Sequence, residues 1–243
     1  MTGRDRRLGS ARWPELPGRP LVVVPLGSVE QHGAHLPLGT DTAVACAVAD
    51  AAVAELTAAP STGLTRVLLA PALAYGASGE HEGFPGTISI GTEALTGLLV
   101  EYGRSAGLWA GRVLVVNGHG GNLDALRTAV PRLRAEGRDV AWFPCGVPGG
   151  DAHAGRTETS LLLHVEPDDV RPELAAPGET APIAELLPRL RAEGVRGVSA
   201  GGVLGDPTGA TAAEGAEQLS ALVTRLADAV ASWRVGAGGR LEG

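Results

Sequence analysis

The 243-residue chain contains no lysine: all twenty of its basic residues are arginine. Schiff-base chemistry and phosphate binding by a P-loop lysine are therefore excluded. Aromatic residues make up only 3% of the sequence, too few for a platform on which single-stranded bases stack. The net charge of −7 has the wrong sign for a protein that neutralises phosphates, so no nucleic-acid partner is expected. No apolar run is long enough to span a bilayer, and the Arg-rich start lacks an apolar leader segment, which reads as a cytoplasmic protein with no membrane partner. Cysteine is scarce. Cys46 and Cys145 form no CxxC pair and fall in apolar segments, as buried thiols in a reducing compartment do. HExxH, Walker A and G-x-S-x-G motifs are also missing.

What is present is a series of apolar runs that end in glycine and polar, metal-competent residues. Leu21–Leu26 is a pure apolar run and reads as a buried parallel strand. A helix is expected from Asp41 to about Ala59, with Thr40 or Asp41 as N-cap. Further strands are expected at Val67–Leu73, Val113–Val116 and Val140–Pro144. Further helices are expected at 91–110, 123–136 (closed by Gly137), 183–193 and Ala210–Trp233. Alternating strands and helices over this length imply one α/β domain, here placed at 20–234. Residues 1–19 read as a flexible leader and 235–243 as a disordered tail.

Open α/β sheets bind ligands beyond the carboxyl ends of their strands. The first strand runs into Gly27-Ser28-Val29-Glu30-Gln31-His32-Gly33-Ala34-His35, followed by Asp41. Residues two apart in extended chain share a face, so Glu30 and His32 look into the same space. The third strand runs into Asn117-Gly118-His119-Gly120-Gly121-Asn122, and the fourth into a loop carrying Asp151, His153 and Glu158. In a parallel sheet these loops share one edge. Glu30, His32, Asp41, His119 and Glu158 could then supply the mixed nitrogen and oxygen donors of a two-metal hydrolytic site, suited to Zn²⁺, Fe²⁺ or Mn²⁺. The Gly-rich loop 75–87, with Glu80 and His81, reads as a rim of that site.

These motifs, together with Leu36-Pro37-Leu38-Gly39-Thr40-Asp41 and His153-Ala154-Gly155-x-x-Glu158-Thr159-Ser160, resemble the creatininase superfamily of metal-dependent amidohydrolases. The resemblance runs from about residue 20 to 230. It implies a three-layer α/β/α sandwich with a mainly parallel sheet, a hexameric or other homo-oligomeric assembly, and two divalent metal ions per subunit. Asp41 would bridge the metals, Glu30 and His119 would complete one, and His32 would help hold the second. Creatininases proper carry a glutamate two residues after the histidine of the NGH motif, where this chain has Gly121. Glu158 is expected to fill that vacancy, as ligand or as base.

His153 is the candidate for proton transfer to a leaving nitrogen, because an imidazole titrates near neutral pH. Glu80 and His81 are expected to contact substrate, and Arg156 to bind an anionic group such as a peptide carboxylate. His35, Asn117 and Asn122 are expected to orient the ligands from behind, and His164 to be structural. By resemblance to a peptidase subgroup of the superfamily, the expected partner is a modified precursor peptide. The rival expectations are a small-molecule amidohydrolase acting on a cyclic amide or formamide, and a non-catalytic metal-binding scaffold.

Overall fold

The structure, a computed structural model, describes residues 6–16, 18–58 and 66–242. Four parallel strands form the central sheet: β1 (Leu21–Leu26), β2 (Val67–Leu69), β3 (Arg112–Asn117) and β4 (Val140–Pro144), in the order β2-β1-β3-β4. β1 lies between β2 and β3, pairing Leu21 with Val67 on one side and with Arg112 on the other. The carboxyl ends of β1, β3 and β4 therefore come out side by side.

The strands are apolar at almost every position because both faces are covered. Leu21, Val23, Leu114, Val116, Ala141 and Phe143 face one core, which they share with α1 (Thr40–Ala58), α4 (Arg156–Val165) and α6 (Ala212–Ser232). Val22, Val24, Val113, Val115, Val140 and Trp142 face the other, with α2 (Gly91–Ala106) and α3 (Leu123–Ala135). Helix, sheet and helix make three layers, as expected. α5 (Ile183–Val198) is interrupted at Gly194, whose φ of +66° ends the helix expected at 183–193 and starts one further turn. It rests on the short helical turn Gly79–His81.

Several boundaries differ from expectation. β2 stops at Leu69, although Leu73 still pairs with Leu26. α1 starts at Thr40, so Thr40 and Asp41 lie inside its first turn. Thr40 Oγ1 donates to the Pro37 carbonyl at 2.7 Å instead of accepting as a cap. Ala59, the expected last residue of that helix, lies outside the described residues. Cys145 is buried, but Cys46 is only half-buried on α1.

Neither end of the chain is loose where it is described. Arg7 bridges to Leu69 and pairs with Asp50 at 3.2 Å, and Leu8 packs against the α2/α3 core. The expected disordered tail is ordered through residue 242. β5 (Arg234–Val235) and β6 (Leu241–Glu242) form a hairpin that buries Leu241. The tail is Gly-rich, and one buried leucine, together with the Trp142 N–H and indole Nε1–H donating to the Gly239 and Gly238 carbonyls, holds it.

Candidate metal centre

The β1 loop delivers Glu30, Gln31, His32 and His35, and the first turn of α1 delivers Asp41. The β3 end delivers His119. The loop after β4 delivers His153, and the first turn of α4 delivers Glu158. The 75–87 loop adds Glu80 and His81. Glu30, His32, His35, Asp41, His81, His119 and His153 are all buried. Seven buried polar residues of these types, brought together from five segments, do not arise from core packing, since such groups are rarely buried without partners.

His119 Nε2 lies 3.1 Å from Glu30 Oε2, and its Nδ1 lies 3.3 Å from Asp41 Oδ2. His32 Nε2 lies 3.3 Å from Asp41 Oδ1 and 3.8 Å from Glu158 Oε2. Donor atoms of Glu30, Asp41 and His119 thus gather in one group and those of His32, Asp41 and Glu158 in a second, with Asp41 common to both. A further group joins Glu30, His32 and His153.

Three of these atoms have no hydrogen-bond partner although they are buried: Glu30 Oε1, His32 Nε2 and Asp41 Oδ2. An unpaired buried polar atom costs about 1–3 kcal/mol, so orphans on the residues of these donor groups fit a cation. The far nitrogen of His32 is already held: Nδ1–H donates to the Glu30 carbonyl at 3.1 Å. His119 Nε2 lies between Glu30 Oε2 at 3.1 Å and the Ala77 carbonyl at 3.2 Å. A backbone carbonyl behind a metal-binding imidazole fixes its orientation in just this way. The donor set, two imidazoles and three carboxylates, fits a pair of divalent ions.

The charges respond to one another. Burial opposes a charge on His32, but Asp41, with Glu158 and Glu30 behind it, outweighs that and lifts the imidazole to about 9. His119 is also raised well above 6.5, burial being overcome chiefly by Glu30. Asp41 is held below its usual range, burial being overcome by His32 and His119. Glu158 is pushed up to about 7 by burial, with His32 pulling the other way and the Asp41 carboxylate adding to the rise. His153 is held well below 6.5 by burial and by the neighbouring His32 and His81. Cys145, which borders the site, is pushed up to about 12, chiefly by burial, and stays a thiol.

The residues expected to orient ligands are tied together. Asn122 Nδ2 donates to the Gly27 carbonyl and to Asn117 Oδ1, both at 3.0 Å, and its Oδ1 accepts from Ala77 N–H at 2.9 Å. Asn117 Nδ2 donates to the His119 carbonyl at 2.6 Å. His35 Nε2 meets Thr159 Oγ1 at 2.9 Å, beside Glu158.

Three expectations about substrate contacts fare differently. Glu80 joins the cluster from the 75–87 loop, its carboxylate 3.4 Å from His119 Nε2 and its side chain 34% exposed. It also occupies the space over Gly121, where an added Cβ would lie 2.5 Å from Glu80 Oε1. His81 is instead buried, with Nδ1 on Gln31 at 2.9 Å and Nε2 3.2 Å from Glu30 Oε1. Arg156 does not join the cluster; its Nε donates to Glu214 of α6 at 2.8 Å and the guanidinium is exposed.

The sequence reading gave no role to Gln31 or Ser28. Ser28 Oγ donates to Glu30 Oε2 at 2.8 Å, and Gln31 touches two imidazoles. Their place inside the Gly27–His35 run is the one signal that could have pointed to them.

A cavity of about 250 Å³ opens beside Asp41, His119 and Glu158, walled by Val44, Leu123, Pro144, Val147 and Leu161. Among the described residues, no arginine lines it.

The family model for creatinine amidohydrolase, or creatininase, matches residues 10–230. Mycofactocin precursor peptide peptidase of Mycolicibacterium smegmatis is 58% identical over 215 residues, covering 88% of this chain and 86% of that one. The protein of that name from Mycobacterium tuberculosis (strain CDC 1551 / Oshkosh) is 59% identical over 228 residues, covering 93% and 91%. Creatinine amidohydrolase of Pseudomonas putida is 29% identical over 260 residues, covering 92% and 95%. A crystal structure of creatinine amidohydrolase superposes with a TM-score of 0.75 at 24% identity, covering 94% of this chain and 97% of that one.

Proposed function

Because this chain belongs to the creatininase family, we propose that it is a metal-dependent peptidase. It cleaves one amide bond of the mycofactocin precursor peptide and releases the modified C-terminal unit derived from Val and Tyr, during biosynthesis of a redox cofactor. The observation that carries this reading is the pair of donor groups sharing Asp41, in a chain whose relatives at 58% and 59% identity bear that peptidase name.

Glu30, Asp41 and His119 would hold one divalent ion and His32, Asp41 and Glu158 the other, as Zn²⁺, Fe²⁺ or Mn²⁺. When bound, the ions supply the Lewis acidity that polarises an amide carbonyl and makes water acidic enough to attack it at neutral pH. The chain's own residues do the rest. Asp41 and Glu30 fix the positions of the donors. His153, buried and neutral, carries a proton between the attacking water and the leaving nitrogen. Glu158 can assist as a base from its first-turn position on α4. Glu80, held ionised against the effect of burial by its contact with His119, and partly exposed, meets an N–H of the incoming peptide. The apolar part of the cavity wall, Val44, Leu123, Pro144, Val147 and Leu161, takes an uncharged group next to the scissile bond. A homo-oligomer, hexameric by resemblance, forms part of the same proposal and is tested by light scattering.

The test is mass spectrometry of the modified precursor peptide incubated with the protein, with and without Zn²⁺ or Fe²⁺. Metal-dependent loss of a C-terminal fragment is expected. An intact peptide with every metal would transfer the proposal to a small cyclic amide, the substrate class in the name of the Pseudomonas relative.

A further inference from the structure

Gln31 makes contacts that admit one arrangement of hydrogens. Its Oε1 accepts from Gly33 N–H at 2.9 Å, and its Nε2 donates to the Gly202 carbonyl at 3.0 Å. A backbone N–H can only donate and a carbonyl can only accept, so these two groups decide which end of the amide is oxygen and which is nitrogen. The same Nε2 lies 2.9 Å from His81 Nδ1 and 3.0 Å from His153 Nε2. An amide nitrogen carries two hydrogens, and Gly202 takes one. The two imidazoles are left to compete for the other.

The competition is settled at His153. Its Nε2 also lies 2.8 Å from the backbone carbonyl of Gln31, which must receive a hydrogen. A hydrogen on His153 Nε2 satisfies that carbonyl and leaves the second amide hydrogen for His81 Nδ1. His81 then carries its own hydrogen on Nε2, facing Glu30 Oε1 at 3.2 Å. His153 keeps its lone pair on Nδ1, which is 3.6 Å from the same oxygen. The opposite assignment strands the Gln31 carbonyl and leaves His81 Nδ1 without a donor, two losses in a buried site.

We propose that Gln31 is a positioning residue: its side-chain amide and backbone carbonyl together hold His153 and His81 as Nε2–H tautomers, so that His153 presents a bare Nδ1 to the reacting atoms. The inference rests on the reading of His153 as proton carrier. Nδ1 takes one proton from the attacking water and returns it to the amide nitrogen as the C–N bond breaks, so the ring ends neutral and one water becomes part of the two products.

The segment 199–205 is what makes this possible. His153 and Leu204 exchange backbone hydrogen bonds at 3.1 and 2.8 Å, which brings Gly202 against Gln31. An added Cβ at Gly202 would lie 1.8 Å from Gln31 Oε1, and its φ of +79° disfavours any side chain. Gly202 is therefore part of the same device.

The test is nitrogen-15 NMR of histidine-labelled, zinc-loaded protein, in which the two ring nitrogens report the tautomer directly. Both His81 and His153 are expected as Nε2–H. In Gln31→Glu a carboxylate replaces the amide donor, so His81 is expected to switch to Nδ1–H. kcat is expected to fall about 10–100-fold, the range for losing a group that orients an active-site residue, with KM little changed. Gly202→Ala, which displaces Gln31 without altering it, is expected to act in the same direction. A hydrogen on His153 Nδ1 in the unaltered protein would overturn the proposal whether or not any variant folds. So would unchanged tautomers and kcat in Gln31→Glu. Full turnover by His153→Ala would remove the proton-carrier role and with it the effect of Gln31 on kcat, whereas reversed tautomers would overturn the proposal with that role intact.

Discussion

The two sides of the Glu30 carboxylate are satisfied differently. On one side Gln31 donates to His81 and to the Gly202 carbonyl, and its own backbone carbonyl accepts from His153. On the other, Asp41 Oδ2 and His32 Nε2 lie buried without hydrogen-bond partners, and Glu158 stands 3.8 Å from that same nitrogen. The first side is closed by these bonds except at Glu30 Oε1, which faces His81 and His153 without a hydrogen-bond partner. The second is held open by the surrounding fold against its own repulsions and unpaired atoms. A fold that leaves such atoms unpaired trades local stability for the ability to bind something there.

Breaking the open side should have the largest effect. Asp41→Asn removes the carboxylate common to both donor groups, so elemental analysis should find both metal equivalents depleted. kcat/KM should fall by at least about 10³-fold, the upper scale for loss of one charge-stabilising group. Glu158→Gln touches one group only. It should cost one equivalent and about 10²-fold in kcat. Retention of two equivalents by this variant would remove Glu158 from the ligand set.

The pH dependence sharpens the contrast without a mutation. His32, raised to about 9 from 6.5, stabilises the metal-free fold below pH 6.5, and that contribution is lost as pH rises through 9. Glu158, raised to about 7 from 4.5, stabilises it below pH 4.5, and its contribution is lost through 7. Both therefore weaken the metal-free protein as pH climbs through the neutral range. Both must also give up protons to bind metal. Chelator competition at pH 6.5, 7.5 and 8.5 should show affinity rising with pH, while the melting temperature of metal-free protein falls. Arg156→Ala should do least: its guanidinium is exposed and paired with Glu214, so kcat/KM should stay within about twofold, as for a surface change of up to about 0.5 kcal/mol. A larger loss in KM would return Arg156 to the substrate.

The same contrast explains what could be read from the sequence. Glu30, His32, Asp41, His119 and Glu158 are legible because each follows an apolar strand or opens a helix, and parallel topology alone brings such positions together. The role of Gln31 is not legible. It depends on Gly202, far along the chain, being close enough to accept a hydrogen bond, and no periodicity encodes that. The pairing of Arg156 is not legible for a similar reason, since its carboxylate partner Glu214 sits on α6. The tail misled because its order comes from one leucine and from backbone bonds, neither of which makes a pattern.

Those backbone bonds have a consequence for handling the protein. Arg7 bridges to Leu69 on β2, and Arg240 bridges to Trp142 on β4, so segments near both chain ends lie along the two outermost strands of the sheet. Exposed strand edges are templates for aggregation. Removing residues 235–242 should therefore lower solubility before it touches catalysis, with light scattering rising on storage while freshly prepared protein still turns over substrate.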